Sequence, residues 1–250
     1  MSPRRPRSLR DRTILVTRPR EQSRELIHEL ELRGARAIAA PTIELVPLRS
    51  AALTRALRDL SAGRYTWLML TSKQTVDVLA SRITAGEVRA KVGAIGEGTA
   101  AAFRSWAGRE PDVVPTTFTT AALARALPRG KGRVLCARAD VAPEGFETAL
   151  AAKGWSPERV DAYRTRMAKR LPIEAREALA DGDVDAITFT SASTVGGFVA
   201  AVARVKGHPK VVCIGPVTSR EARAHALPVA AVARPHTTAG LVEAVERALR

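Results

Sequence analysis

The sequence predicts an α/β protein built from two similar flavodoxin-like domains, each with a parallel sheet. Two observations lead to this prediction. Runs of residues that are apolar at nearly every position alternate with segments of helical periodicity, a pattern typical of parallel sheets covered by helices on both faces. In addition, five segments of the first half recur in the same order in the second half, 118 to 120 positions later. A repeat of this length indicates a duplicated domain, because solenoid repeats are much shorter.

The matched segments combine a buried strand with the start of the helix that follows it. W-L-M-L-T-S-K-Q-T-V corresponds to A-I-T-F-T-S-A-S-T-V, and V-G-A-I-G-E-G-T corresponds to V-V-C-I-G-P-V-T. The other matched pairs are Ile14–Arg18 with Val134–Arg138, Leu30–Gly34 with Leu150–Gly154, and Thr119–Ala121 with Thr237–Ala239.

The first half is predicted to contain two strands around a helix, an extended segment between prolines, and then alternating helices and strands. The ranges are strand Ile14–Val16, a helix over Leu26–Leu30 that ends at Gly34, strand Ala37–Ala39, extended Pro41–Pro47, helix Leu53–Leu60, strand Trp67–Leu70, helix Lys73–Ile83, strand Val92–Ile95, helix Thr99–Trp106, Val113–Val114 and helix Thr120–Leu127.

The second half repeats this order. Ser191 or Ser193 is the predicted N-cap of the helix within Asp185–Val199, and Thr218 with Glu221 forms a predicted capping box. The other ranges are strand Val134–Ala137, helix Glu144–Lys153, extended Arg159–Arg164, helix Ile173–Ala180, strand Val211–Ile214, strand Val229–Val232 and helix Thr238–Leu249.

The chain is strongly basic, with a net charge of +15, but 33 of its 40 basic residues are arginine. An arginine-rich and alanine-rich composition is also what a GC-rich genome produces, so the excess is weak support for nucleic-acid binding. Residues 1–12 hold five arginines and read as a disordered basic arm. Aromatic residues make up 4% of the chain, too few for a stacking platform for single strands. The excess charge suits an anionic small molecule.

No apolar stretch approaches the length of a membrane span, and the start does not resemble a signal peptide. We therefore expect a cytoplasmic protein. Cys136 and Cys213 lie inside apolar strand runs and are expected to be buried, reduced thiols. The histidines lack metal-ligand spacing, so no metal site is expected; they are His28, His208, His225 and His236.

Small hydroxyl residues and glycines recur where predicted strands end and helices begin. In parallel sheets, ligands bind at the carboxyl ends of strands, against helix N-termini that favour carboxylate or phosphate. An ordinary helix cap explains each position singly, whereas several at equivalent ends of two domains favour a shared anion-binding cleft. The candidate substrate-binding residues are Thr17, Arg18, Thr71, Ser72, Gly96, Thr99, Thr190, Ser191, Ser193, Gly215 and Thr218.

Motifs for common cofactors are missing. The sequence contains no G-x-x-x-x-G-K-[ST], neither glycine segment has the G-x-G-x-x-G spacing, and G-x-S-x-G is absent. The cleft is therefore expected to hold an anion without a cofactor.

These motifs, in this order, resemble the uroporphyrinogen-III synthase family. The resemblance rests on T-I-L-V-T-R-P, P-T-I-E-L-V-P, W-L-M-L-T-S, A-I-G-E-G-T, V-D-A-Y-R-T, D-A-I-T-F-T-S-A-S-T-V, C-I-G-P-V-T and T-T-A-G-L-V-E-A-V, and it covers Thr13–Leu249. Ala226 departs from the family, which commonly has glycine there.

The resemblance implies a cofactor-free lyase of tetrapyrrole and heme biosynthesis. It would cyclise hydroxymethylbilane, an octacarboxylate, with loss of water and inversion of the last ring through a spiro intermediate. It further implies a crossed chain in which residues 13–40 plus 167–250 form domain 1 and residues 49–159 form domain 2. Residues 41–48 and 160–166 would then be two interdomain linkers, paired as a short ladder and lying outside the buried strands.

Three residues receive specific roles. Arg18 and Arg138 lie at equivalent strand ends and could grip substrate carboxylates, although solvated arginine is an alternative for each. Tyr163 breaks the repeat, because Ile43 stands at the equivalent position of the other half. The resemblance suggests that the Tyr163 phenol donates a proton to the departing hydroxyl; packing against the hinge is the alternative.

Two other function classes stay open at this point. A two-domain protein that binds or senses an anionic ligand without chemistry would have the same fold. A nucleic-acid binder that uses the basic arm would show a steep salt dependence, but the sequence has no DNA-reading motif. A monomer acting on an anionic tetrapyrrole, with no membrane partner, is the expected state.

Overall fold

The computed structural model describes residues 8–202 and 204–250. Ten strands are found in this part of the chain: β1 (Thr13–Val16), β2 (Arg36–Ala39), β3 (Ile43–Pro47), β4 (Trp67–Leu70), β5 (Lys91–Ala94), β6 (Arg133–Ala139), β7 (Ser156–Met167), β8 (Ala186–Phe189), β9 (Lys210–Cys213) and β10 (Val229–Val232).

Ten α-helices alternate with these strands over the same described residues. They are α1 (Arg20–Glu31), α2 (Ala51–Ser61), α3 (Lys73–Ala80), α4 (Glu97–Ala107), α5 (Thr120–Ala126), α6 (Phe146–Ala151), α7 (Ile173–Asp181), α8 (Ala192–Ala201), α9 (Pro216–Ala224) and α10 (Thr238–Ala248).

The described chain divides into two compact units. We call residues 8–44 and 166–250 the terminal unit, and residues 45–165 the central unit. That residues 13–40 plus 167–250 and residues 49–159 form two separate domains stays a prediction.

The terminal unit contains a sheet with strand order β2-β1-β8-β9-β10, in which all four neighbouring pairs are parallel. Numbered along the chain, this is the 2-1-3-4-5 order of flavodoxin-like sheets. Apolar side chains cover both faces, because Leu15 and Ile187 belong to one hydrophobic cluster and Ile14 and Val16 to another. The predicted α/β class with parallel sheets is confirmed.

The central unit has the same order when counting starts at β6. Its sheet runs β3-β7-β6-β4-β5, and Val113 adds a parallel bridge to Gly93 beyond β5. Thus β6, β7, β4, β5 and Val113 occupy places 1, 2, 3, 4 and 5. The duplication explains the agreement. Thr13 pairs with Arg36 in the terminal sheet, and the residues 120 positions after each of them, Arg133 and Ser156, pair with each other in the central sheet.

β7 differs from the segment predicted as a linker. It is a continuous strand of twelve residues, and Val160, Ala162 and Tyr163 within it are buried. The expectation that this stretch lies outside the buried strands is therefore wrong. Exposed charged residues alternate with the apolar ones and hide the strand in the sequence, while β6 and β3 cover its two edges.

β3 is also a strand, at the edge of the central sheet. The N–H of Leu48 donates to the Ala162 carbonyl, and the N–H of Ala168 donates to the Thr42 carbonyl, both at 2.9 Å. From Thr42 to Leu48 the residue numbers rise, while those of their partners fall from Ala168 to Ala162. The two strands are therefore antiparallel here. By the repeat offset, β7 corresponds to β2 and β3 together.

Part of the segment predicted as a disordered arm is ordered. Residues 1–7 lie outside the described residues, but Ser8–Asp11, which we expected to be disordered, form a turn. Leu9 is fully buried in the cluster beneath α1 and α10, and its N–H donates to the Arg33 carbonyl at 3.0 Å. A single leucine among arginines is a weak sequence signal, yet its burial fixes this turn.

Gly197 allows the chain before β3 to approach α8 closely. An alanine Cβ at this position would lie 2.3 Å from the Thr42 carbonyl oxygen, whereas a Cβ at Gly196 would meet Met167 at an ordinary 3.5 Å. The Thr42 hydroxyl also donates to the Thr194 carbonyl at 2.9 Å. The position of Thr42 therefore depends on a residue without a side chain.

We predict that Leu9→Ala lowers the free energy of unfolding by about 2–5 kcal/mol, because it leaves a cavity in a closed core. Leu32→Ala is the matched control: Leu32 is 46% exposed, and its loss should cost less than about 1 kcal/mol. Urea unfolding of both variants measures the difference, and equal losses would contradict the docking of Leu9.

Gly197→Ala should lower the free energy of unfolding by about 1–3 kcal/mol through overpacking. Gly196→Ala, its neighbour on α8, should leave stability unchanged or raise it by up to about 1 kcal/mol, since alanine favours a helix over glycine. Thermal unfolding of the two variants gives the comparison. A Gly197→Ala protein as stable as Gly196→Ala would show that Thr42 does not need this contact.

Candidate functional site

Each sheet has one place where a ligand is expected. In the terminal unit β1 and β8 are neighbours, and the chain leaves them toward opposite edges of the sheet. In the central unit β6 and β4 have this relation. Such a switch point opens a crevice beyond the carboxyl ends of the two strands. The predicted residues at the carboxyl ends of these four strands are Thr17, Arg18, Thr190 and Ser191 in the terminal unit, and Thr71, Ser72 and Arg138 in the central unit, where Arg138 is still part of β6.

Thr17 supports the backbone of the terminal crevice. Its side chain is fully buried, and its hydroxyl donates to the Thr188 carbonyl at 2.7 Å. The Thr17 carbonyl accepts from the N–H and the hydroxyl of Thr42, both at 3.3 Å. These bonds hold the turn after β1 in place.

Ser191 is the N-cap of α8, as one of the two predicted alternatives had it. Its Oγ accepts from the Thr194 N–H at 3.2 Å, while Thr194 Oγ1 accepts from the N–H groups of Thr190 and Ser191. Ser193 lies in the first turn and is partly exposed, like Thr190. The hydroxyls of Thr190 and Ser193 make no hydrogen bond to any described residue, so they are available to a ligand.

Helices α4 and α9 start earlier than predicted, each directly after a glycine and not at Thr99 or Thr218. Gly96 and Gly215 are the N-caps of α4 and α9, in extended conformation. Thr99 and Thr218 lie inside the first turn and are buried. The predicted capping box at Thr218 is therefore wrong, because Pro216 already starts the helix.

The sequence did not reveal that a ring lies over each of these glycines. An added Cβ at Gly96 would lie 2.8 Å from the ring of Phe118, and one at Gly215 would lie 3.7 Å from the ring of His236. Both rings directly precede the repeated Thr-Thr-Ala. That shared position was the available signal, but it is hidden because one half has phenylalanine and the other histidine.

Tyr163 donates a hydrogen bond to Ser72. The Tyr163 side chain is 7% exposed, and its hydroxyl lies 3.0 Å from Ser72 Oγ. Burial raises the pKa of Tyr163 above its usual value; the Ser72 hydrogen bond and Arg138 act against this shift, and Asp140 adds to it. The phenol is therefore protonated at neutral pH.

Ser72 is itself fixed by α3, of which it is the N-cap. Its Oγ accepts from the Thr75 N–H at 3.1 Å and contacts the Thr75 hydroxyl at 3.0 Å. Thr75 in turn donates to the Ala137 carbonyl at 3.3 Å. A chain of hydroxyls thus runs from Tyr163 to the end of β6, and Thr71 lies partly exposed beside it.

The two candidate arginines differ. Arg138 is 1% exposed and pairs with Glu147, whereas the partly buried Arg18 donates to the neutral hydroxyl of Thr238 at 3.2 Å. Burial lowers the pKa of Arg18, and the charge of Glu25 offsets this only in part.

Both cysteines are buried and unpaired, as expected for Cys136 and Cys213. Burial raises their pKa to about 12 and about 11. Because the thiolate is the reactive form, both thiols are unreactive at neutral pH.

Among the described residues, no three His, Cys, Asp or Glu side chains are grouped to hold a metal ion. No described helix has the length and apolarity that a bilayer span requires.

Comparison with known proteins identifies the family. The family model described as uroporphyrinogen-III synthase HemD matches residues 24–243. A putative uroporphyrinogen-III synthase of Methanothermobacter thermautotrophicus is 33% identical, covering 86% of this chain and 90% of the relative. The uroporphyrinogen-III synthase of Synechococcus elongatus is 28% identical over 94% of this chain and 95% of its own.

A third relative is longer than this chain. The porphyrin biosynthesis protein HemD of Ruminiclostridium josui is 32% identical over 86% of this chain, which spans 44% of that relative.

Solved structures agree in fold. A mutant uroporphyrinogen III synthase of Thermus thermophilus matches with a TM-score of 0.66 at 20% identity, over 95% of this chain and 98% of that one. The Helicobacter pylori uroporphyrinogen-III synthetase matches with a TM-score of 0.64 at 16% identity, over 96% and 100%. Because the family model matches most of the length of this chain, the chain belongs to the uroporphyrinogen-III synthase family.

Proposed function

We propose that this chain catalyses the reaction for which its family is named: the cyclisation of hydroxymethylbilane to uroporphyrinogen III, with inversion of the last ring and loss of water. The observation that carries the proposal is the match to the family model over residues 24–243. Relatives named as synthases align with nearly the whole chain, which favours the synthase over a ligand-binding protein without chemistry.

Positioning supplies most of the rate in this proposal. The substrate is a flexible chain whose two ends must meet, and well-oriented intramolecular reactions reach effective molarities of roughly 10⁵–10⁸ M. Helix N-termini beside Ser72, Gly96, Ser191 and Gly215 offer N–H groups to carboxylates. That both units bind one substrate molecule stays a prediction.

Tyr163 is the proposed general acid. Hydroxide is a poor leaving group, and a proton from the phenol lets it depart as water. Burial raises the pKa of the phenol, which is protonated at neutral pH, and the bond to Ser72 positions the phenol oxygen. For the transfer, the O–H turns from Ser72 toward the leaving hydroxyl. Once the proton has left, the Ser72 hydroxyl can turn and donate to the phenolate, which stabilises the charge on Tyr163.

We further propose a monomer that acts in the cytoplasm on an anionic tetrapyrrole, without a cofactor and with neither membrane nor nucleic acid as a partner. A net charge of +15 suits a substrate with eight carboxylates.

The direct test incubates hydroxymethylbilane with and without the protein and separates the product isomers. The synthase reaction gives the III isomer with the protein, while the spontaneous reaction closes the ring without inversion to the I isomer. A product mixture unaffected by the protein would overturn the proposed function.

We predict that Tyr163→Phe lowers kcat by roughly 10- to 10³-fold, because the general acid is lost. Tyr65→Phe is the matched control, since Tyr65 is also buried but bonds to Glu158 and Arg133. That variant should lose stability and keep its turnover. Steady-state kinetics and thermal unfolding of both variants separate the two roles; wild-type kcat in Tyr163→Phe would exclude the acid.

Ser72→Ala removes the acceptor for Tyr163 and the cap of α3. It should lower kcat by about 2- to 10-fold, the worth of one hydrogen bond of about 0.5–1.5 kcal/mol, and lower stability by about 1 kcal/mol. Ser50→Ala, which removes the cap of α2, should give the same stability loss and full turnover. Equal kcat in the two variants would show that Ser72 only caps its helix.

A further inference from the structure

The two arginines at the repeated strand ends offer an internal comparison. Arg18 follows β1 and Arg138 lies near the end of β6, 120 positions later, and both strands take the first place in their sheets. The helices after them also correspond. Leu26 and Leu30 on α1 are buried, as are their counterparts Phe146 and Leu150 on α6.

Arg138 has a carboxylate of its own. Its Nη1 donates to both carboxylate oxygens of Glu147 at 2.9 and 3.0 Å, and its guanidinium carbon lies 5.3 Å from the ring centre of Phe146. With 1% exposure, the charge is neutralised inside the central unit. Such a pair is costly to break, so Arg138 serves the fold.

Arg18 has no such partner. The repeat places Ile27 at the position of Glu147, and Arg18 forms no ion pair with a carboxylate of any described residue. Its hydrogen bond goes to the hydroxyl of Thr238. Glu25, which is exposed, acts on Arg18 only through its charge at longer range.

The surroundings make this lone cation unfavourable. Arg18 is partly withdrawn from water, and Thr238 is the first residue of α10. The N-terminus of a helix carries partial positive charge and repels a cation. An anion beside Arg18 would be favoured by both charges and would remove the conflict.

We propose that Arg18 binds one carboxylate of the substrate at the start of α10, and that this carboxylate has the role toward Arg18 that Glu147 has toward Arg138. The inference rests on the proposed function, since that function supplies the polycarboxylate. It revises the expectation that Arg18 and Arg138 both grip the substrate. Arg138 pairs with a carboxylate of the protein, whereas Arg18 pairs with a carboxylate of the ligand.

The experiment compares Arg18→Gln with Arg138→Gln. Arg18→Gln should raise the KM for hydroxymethylbilane by about 10- to 100-fold, the loss of one charge-assisted hydrogen bond, without lowering the unfolding temperature. Arg138→Gln leaves Glu147 unpaired and should lower the unfolding temperature, while KM of the folded protein stays within about twofold.

A second pair of variants keeps Arg18 and gives it a partner. Ile27→Glu supplies a carboxylate at the position equivalent to Glu147 and should raise KM in the same direction, whereas Ile27→Gln, of the same size, should raise it less. This pair decides the question if Arg18→Gln does not fold.

Binding of uroporphyrin III, an octacarboxylate, provides a readout that does not need turnover. If the wild type forms no III isomer, the proposed function fails, and weaker binding of this probe by Arg18→Gln still supports the carboxylate site. If the wild type turns over and Arg18→Gln keeps its KM and its affinity for the probe, the carboxylate site is wrong and the synthase function stands.

Discussion

The proposed chemistry depends on the hydrogen bond from Tyr163 to Ser72. Ser72 is a helix cap that both units have, whereas Tyr163 is a side chain that one unit has. Ser72 is a helix cap at a strand end, and Ser191 is its counterpart 119 positions later. The phenol is present in one half only, because Ile43 stands at the equivalent position. The proposed acid, which one half has, is therefore held by a helix cap that both halves have.

A duplicated fold must become unequal to act on one end of a linear molecule, and the inequality here is local. The sheets keep the same strand order, while single side chains at their carboxyl ends differ: tyrosine against isoleucine, phenylalanine against histidine, and a paired against an unpaired arginine. Each of these pairs places a different chemical group, or the same group with a different partner, at equivalent positions of the two halves. The sheets can therefore stay alike while their strand ends diverge.

The sequence predicted what depends on local pattern. Apolar strands and the cap at Ser191 or Ser193 are encoded within a few residues, and the repeat is visible as short matching motifs, so they could be found. The Arg138–Glu147 pair could not, since a loop separates β6 from α6 and no periodicity links a strand residue to a helix residue. Leu9 and the middle of β7 were misjudged because charged neighbours masked apolar residues whose burial depends on distant parts of the chain.

A double-mutant cycle on kcat tests most directly whether Tyr163 and Ser72 act as one unit. Tyr163→Phe, Ser72→Ala and the double variant would be compared with the wild type at saturating substrate, with folding verified for each. If Ser72 serves turnover only by holding the phenol, the double variant should be no slower than Tyr163→Phe alone. Losses that multiply would show that the two residues act independently and would contradict a general acid held by the helix cap.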